Sequence, residues 1–152
     1  MAAAPKPQAV LFACGLNSVR SPMAAELFRQ AMGRSTYVGS AGVRKGEPSA
    51  FAAAAMDEIG LDLSRHRPST FEELEEWEGL NFDLIVTLSP EAHHKALELT
   101  RTLAVDVEYW PTPDPTLVTG NREQQLDAYR QVRDQLMHRI KTRFGWRPGG
   151  NE

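Results

Sequence analysis

The stretch Val10-Leu11-Phe12-Ala13-Cys14-Gly15-Leu16-Asn17-Ser18-Val19-Arg20-Ser21-Pro22 decides the fold. It opens on a short apolar run, as a buried strand does. It closes on Ser-Pro, a helix start in which Ser caps the first turn and Pro forfeits no needed donor. Between them lie a Cys, five residues and Arg-Ser. A tight strand-loop-helix turn directs main-chain N–H groups inward at a helix N-terminus and so makes an anion cradle. Cys14 at its foot, expected to stand clear of the core, supplies a nucleophile, and Arg20 at its rim a bidentate clamp. The stretch predicts a phosphate site equipped for covalent chemistry, with Gly15, Leu16, Asn17, Ser18, Val19 and Ser21 as its walls.

Outward from that turn, strands and helices alternate. The first strand reads as 9–13, and the helix after the loop carries Met23, Leu27 and Ala31 on an apolar face and stops at Gly33. Thr36-Tyr37-Val38 reads as a second strand, which Gly39-Ser40-Ala41-Gly42 breaks. Glu47-Pro48-Ser49 opens a helix that ends at Gly60. Thr70-Phe71-Glu72-Glu73 has capping-box spacing and opens a short acidic helix through Trp77. Phe82 to Leu88 is a near-continuous apolar run, as expected of a parallel strand covered on both faces. Ser89-Pro90 repeats the cap-plus-proline helix start, and that helix extends to about Leu99. Val105 to Tyr109 is the fourth strand. The three prolines between Trp110 and Pro115 exclude regular structure, and a long helix with Leu126, Tyr129, Val132, Leu136, Ile140 and Phe144 at helical spacing spans 122–144. No hairpin signal separates two strands, so the pattern predicts an α/β fold: a parallel sheet with helices on both faces. In such sheets ligands bind beyond the carboxyl ends of the strands, which puts Cys14 and the Asp114 loop on one rim.

The 152 residues are one domain on size grounds, with loose ends at 1–8 and 146–152. A net charge of -3 gives no electrostatic footprint for nucleic acid, and the local basic cluster is Arg44-Lys45. One Cys excludes an internal disulfide framework and fits a reducing cytoplasm. No apolar run is long enough to cross a bilayer, and no signal peptide is evident. His93 and His94 point apart on a helix and lack a third ligand at suitable spacing, so neither a metal nor another cofactor is expected. Asp57, Asp62, Asp83 and Asp106 read as surface or capping residues, and Trp77, Trp110 and Trp146 as packing, with Trp110 near enough to Asp114 to border a pocket.

Cys14-x5-Arg20-Ser21-Pro22 after an N-terminal strand resembles the low-molecular-weight protein tyrosine phosphatase family, to which the thioredoxin-coupled arsenate reductases are related. Asn17 within the loop, Gly39-Ser40-Ala41-Gly42 and a late Asp114-Pro115 add to the likeness, which runs from Ala9 to Phe144. The resemblance implies a flavodoxin-like, doubly wound four-stranded sheet of order 2-1-3-4. It also implies that Ser40 and His66 hold Asn17.

A free thiol titrates near ~8.5 and is mostly protonated at neutral pH, whereas inward N–H groups, a helix dipole and Arg20 favour the thiolate. Arg20 is expected to bind two phosphate oxygens and follow their charge into the transition state. Ser21 is placed to donate to the sulfur, as well as to cap the helix. Asn17 suits a loop position with φ > 0. Asp114, stiffened by flanking prolines, stands where the family has its general acid, which protonates the leaving oxygen and then activates water. The expected activity is phosphomonoester hydrolysis, of phosphotyrosine by inheritance. The expected substrates are a phosphorylated protein or a small phosphomonoester, with phosphate, sulfate or vanadate as ligands and neither nucleic acid nor membrane as partner.

The chain departs from the family where aromatics wall the cleft: Thr116 and Leu117 follow the Asp-Pro, and Val43-Arg44-Lys45-Gly46 follows Ser-Ala-Gly. Leu16 remains as an apolar lip, and Arg44 and Lys45 are expected to attract an acidic substrate segment. Val19 replaces the second loop Cys of many members. The alternatives are arsenate reduction with a low-molecular-weight thiol, since Ser89 stands where relay enzymes place a Cys, and a non-catalytic oxyanion-binding module.

Overall fold

The structure, a computed structural model, describes residues 7–33 and 35–145. Four strands, β1 (Ala9–Cys14), β2 (Tyr37–Gly42), β3 (Leu84–Thr87) and β4 (Asp106–Tyr109), form one sheet of order β2-β1-β3-β4, parallel throughout. Around it lie α1 (Arg20–Met32), α2 (Ala50–Asp57), α3 (Phe71–Glu78), α4 (Pro90–Leu99) and α5 (Arg122–Phe144), with a short 3-10 turn at Pro115–Leu117.

Period-two alternation along β1 divides the core between the two faces. Val10, Phe12 and Cys14 pack with Met23, Leu27 and Phe28 of α1, Ala52 and Met56 of α2, and Leu136 and Ile140 of α5. Leu11 and Ala13 face the other way, onto Phe71 and Leu74 of α3 and Ala92 and Ala96 of α4. Helices therefore cover both faces, and β1 lies at the centre with neighbours on either side. The crevice where the connections diverge opens at its carboxyl end, where Cys14 stands.

Several local expectations are borne out in detail. Thr70 and Glu73 form the capping box of α3, Ser89 caps α4 by accepting from the Ala92 N–H at 3.2 Å, and α5 has the expected limits. Gly33 closes α1 at φ +75.

Others are corrected. Gly39 to Gly42 does not break β2 but continues it, because this segment pairs in register with Leu11 to Cys14. Gly39 lies against the Phe82 ring, with 3.3 Å to where its Cβ would be, and Gly42 meets the backbone of the loop after β1, so small residues serve close approach here. The strand expected over 82–88 is only Leu84–Thr87. Ser21 does not cap α1; Val19 holds that position without a side-chain bond, and Ser21 lies inside the first turn. Gln8, expected to be loose, is tied down: its N–H donates to Asp83 Oδ2 at 2.9 Å and its carbonyl accepts from Tyr37. Pro7 is likewise buried and accepts from the Thr36 hydroxyl at 3.4 Å, whereas residues 1–6, and the whole of the expected C-terminal loose end with Trp146, lie outside the described residues.

Candidate active site

Cys14 ends β1 with 2% of its surface exposed and belongs to the core on the α1 and α5 side. The expectation that it stands clear of the core is thus corrected. Cys14 nonetheless lines a cavity of about 470 Å³, together with Gly15, Leu16, Ser18, Val19 and Arg20. Two donors address its sulfur: the Asn17 N–H at 3.3 Å and the Ser21 hydroxyl at 3.0 Å.

The loop from Gly15 to Val19 has its carbonyls occupied on the outside. Cys14 O, Gly15 O and Leu16 O accept from Val43, Arg44 and Gly46 at 3.2, 2.9 and 2.9 Å, so the segment after β2 is stitched along the loop. Gly42 makes that seam possible, since a Cβ there would lie 2.6 Å from Arg44 O and 2.8 Å from Asn17 N. Among the described residues, no acceptor takes the N–H of Gly15, Leu16, Ser18 or Val19, and all four line the cavity. Unpaired amides gathered at a helix N-terminus call for an anion.

Asn17 is fully buried and is the one non-glycine with positive φ among the described residues, at +56. Its side chain is oriented without ambiguity: Oδ1 accepts from Ser69 N–H at 2.8 Å, so Nδ2 donates to Ser21 Oγ at 2.8 Å. With one lone pair engaged in this way, Ser21 can direct its hydrogen at Cys14 Sγ. His66 Nε2 lies 2.8 Å from Asn17 O, and because a carbonyl only accepts, Nε2 carries the hydrogen. Burial, the larger effect, pushes the His66 pKa down. Ser40 makes no hydrogen bond to Asn17; the Ser69 backbone takes the role expected of it, while Ser40 lines a neighbouring hollow with His66. Sequence reasoning missed Ser69, because a main-chain donor carries no side-chain signature.

Arg20 is held by the loops that follow β3 and β4. Its Nη1 donates to Thr112 O at 3.0 Å and to Leu88 O at 3.5 Å, and Nη2 lies 3.9 Å from Asp114 Oδ2. Asp114 caps the 3-10 turn: Oδ1 accepts from the Thr116 N–H at 3.0 Å and from its hydroxyl at 2.6 Å. That leaves Oδ2 on the Arg20 side, and Asp114 joins the cavity lining. One conformation thus lets Asp114 cap the turn with one oxygen and keep the other beside Arg20.

The remaining wall is formed by Arg44, Ser89, Pro90, Glu91 and Thr116, with no aromatic ring among the lining residues. Leu16 is 40% exposed, as an apolar lip should be. Arg44 and Lys45 are each paired, Arg44 with Glu91 at 2.8 and 3.1 Å and Lys45 with Glu73 at 2.8 Å, so an acidic substrate segment would compete with these carboxylates for them. Trp110 does not border the cavity; it is buried against Phe12 at 6.0 Å, whereas Trp77 is 63% exposed rather than packed. His93 stacks on Tyr109 and contacts Thr87 Oγ1 at 3.0 Å, while His94 faces Glu98, so the two imidazoles serve separate surroundings.

The chain matches the family "Low molecular weight phosphotyrosine protein phosphatase" over residues 9–144. It belongs to that family. Among curated relatives of this phosphatase-family chain, an arsenate reductase of Bacillus subtilis is 33% identical over 132 residues, covering 87% of the chain and 91% of the relative. One from Halalkalibacterium halodurans is 32% identical over 136 residues, at 88% and 92% coverage. Among solved structures, a YwlE mutant from Bacillus subtilis superposes with a TM-score of 0.71 at 25% identity, covering 88% of this chain and 94% of that one. An arsenate reductase in the phosphate binding state gives 0.68 at 25% identity, with 91% and 97% coverage. The tyrosine phosphatase AmsI of Erwinia amylovora, at 16% identity and a TM-score of 0.70 over 91% of each chain, shares the fold.

Proposed function

We propose that this chain is a cysteine-dependent phosphomonoester hydrolase. The observation that carries the reading is that Cys14 and four loop residues whose main-chain N–H groups are unpaired among the described residues line one cavity. In the first half-reaction Cys14 Sγ attacks phosphorus, the P–O bond to the leaving group breaks, and Asp114 delivers its proton to the departing oxygen. In the second, Asp114 takes a proton from water as that water attacks phosphorus, and the S–P bond breaks. Arg20 and the loop amides bind the equatorial oxygens through both steps. Ser21 donates to the sulfur as thiolate charge returns to it.

The ring-free lining favours compact or non-aromatic leaving groups over phosphotyrosine, because stacking surfaces are absent where an aryl ester would use them. A solved relative of 25% identity is described as the YwlE arginine phosphatase, so a phosphorylated guanidine belongs in the substrate panel.

A second reading, arsenate reduction, is favoured by the curated relatives of that name. The chain has one Cys, and Ser89 in the cavity wall caps α4. A disulfide therefore cannot be passed within the chain. Cys14 would displace water from arsenate to form an S–As bond, and an external thiol would attack the sulfur. The bonding pair would stay on arsenic, giving arsenite and a mixed disulfide that a second thiol resolves.

The deciding experiment offers phenyl phosphate, phosphotyrosine, phosphoarginine, and arsenate with a small thiol to the wild-type protein and to Cys14→Ser. Release of phosphate that is lost in Cys14→Ser and blocked by vanadate supports the hydrolase. Arsenite formation without phosphate release would favour the second reading, and binding without turnover a non-catalytic module.

A further inference from the structure

We infer that the substrate groove runs past the catalytic cavity to a second anion subsite at Arg65 and Arg67, which receives an acidic group borne by the same phosphorylated polypeptide; this rests on the phosphatase reading above. Three hollows adjoin. The catalytic cavity shares Ser18 with a trough of about 280 Å³, and that trough shares Leu63, His66 and Arg67 with a hollow of about 300 Å³. A chain whose phosphoryl group sits over Cys14 would cross Ser18 and lie along the trough to reach the arginines.

The middle of the path suits an extended backbone. Pro48, Ser49, Ala50 and Ala53 are small or rigid and bring no charge to the trough. The far hollow is different in character, with Arg29, Arg65 and Arg67 lining it against Glu26 and Asp62. Arg29 is neutralised at contact distance by Glu26, 2.7 Å away. Arg65 forms no hydrogen bond or contact ion pair among the described residues, and Arg67 donates only to the carbonyls of Ser64 and His66 through Nη1. Asp62 accepts from the Ser64 N–H at 2.8 Å and feels the charge of Arg65 from beyond contact distance, so Arg65 faces one carboxylate without being paired to it. By contrast, Arg44, Arg130, Arg133 and Arg143 all meet carboxylates. Two guanidiniums without carboxylates at contact distance, at the far end of a trough lined by no acidic side chain, recognise a carboxylate or phosphoryl group.

The site also touches the chemistry through structure. His66 lies in both outer hollows and donates to Asn17 O, the hinge of the phosphate loop.

The test is binding of phosphopeptides to Cys14→Ser, with one glutamate scanned through the flanks and glutamine as its control. At the spacing that spans the trough, Glu should bind about 3- to 10-fold tighter than Gln, and less so at high salt. Arg65→Ala with Arg67→Ala should erase the gain. Arg65→Ala alone, which removes no hydrogen bond, should lose part of it. In the parent enzyme the double variant should leave phenyl phosphate turnover unchanged. Equal binding of Glu and Gln peptides at every spacing, or a gain that survives the double variant, would overturn the proposal. So would a phosphate ion held by these arginines with no peptide preference, which would mark a small-oxyanion site. The binding comparison decides the subsite whether or not the parent turns over any phosphomonoester, so the two readings fail separately.

Discussion

The Ser21 hydroxyl stands 3.0 Å from the Cys14 sulfur, and its own lone pair is engaged by Asn17 Nδ2. The hydrogen is thereby turned toward the atom on which charge reappears when the phosphocysteine breaks down. Ser21→Ala should slow that step about 10- to 100-fold, as expected for losing one hydrogen bond to a charged group. Stopped-flow assays of an aryl phosphate should show a larger burst and a slower steady state; equal slowing of both phases would place Ser21 in attack rather than breakdown.

Asp114→Asn should reduce turnover of a poor leaving group about 10²- to 10⁴-fold while vanadate affinity changes little, because the oxyanion is held by the loop and Arg20. A leaving group that needs no protonation should be spared much of the loss. Comparing phenyl with dinitrophenyl phosphate tests this.

Gly42→Ala should be among the most damaging single-methyl changes. The three near atoms, Arg44 O, Asn17 N and Leu16 C, are all backbone and cannot rotate away. A loss of about 1–3 kcal/mol in denaturant melts, typical of overpacking, should accompany weakened vanadate binding. At Gly15, where the facing atom is the flexible Glu91 carboxylate at 3.0 Å, Ala should cost less.

The His66 pKa lies below its ordinary value because burial penalises the cation. The unfolded chain therefore binds the proton more readily than the fold, so stability from this group is present above about pH 6.5 and falls as the pH drops through the folded value. His66→Gln should flatten that part of the pH-stability curve. An identical slope in parent and variant would assign it to other groups.

Arsenate should be reduced only when a small thiol is supplied, since the chain has a single Cys. Arsenite measured with thioredoxin as sole reductant would contradict this.

Much of this architecture was legible because it is written in short-range signals. The capping box at Thr70 and the Ser89-Pro90 start each act within a few residues and appear as expected, and the apolar run over 82–88 does yield a strand, trimmed to Leu84–Thr87. Asn17 at φ +56 was foreseeable from residue type alone. What escaped depends on long-range pairing. Gly39 to Gly42 looks like a breaker until β1 lies beside it, and Ser69 replaces Ser40 through a main-chain group invisible in the sequence. Likewise, Arg44 is half of a basic cluster with Lys45 on paper and half of an ion pair in space, since its partner Glu91 is 47 positions away.

The seam between the segment after Gly42 and the phosphate loop uses only main-chain atoms of Val43, Arg44 and Gly46. Side chains at positions 43 and 44 can therefore be exchanged without unpicking the scaffold that presents the amides. Selectivity and reactivity are written in different atoms of adjoining segments. A lineage can redraw the mouth of such a site while its chemistry stays fixed.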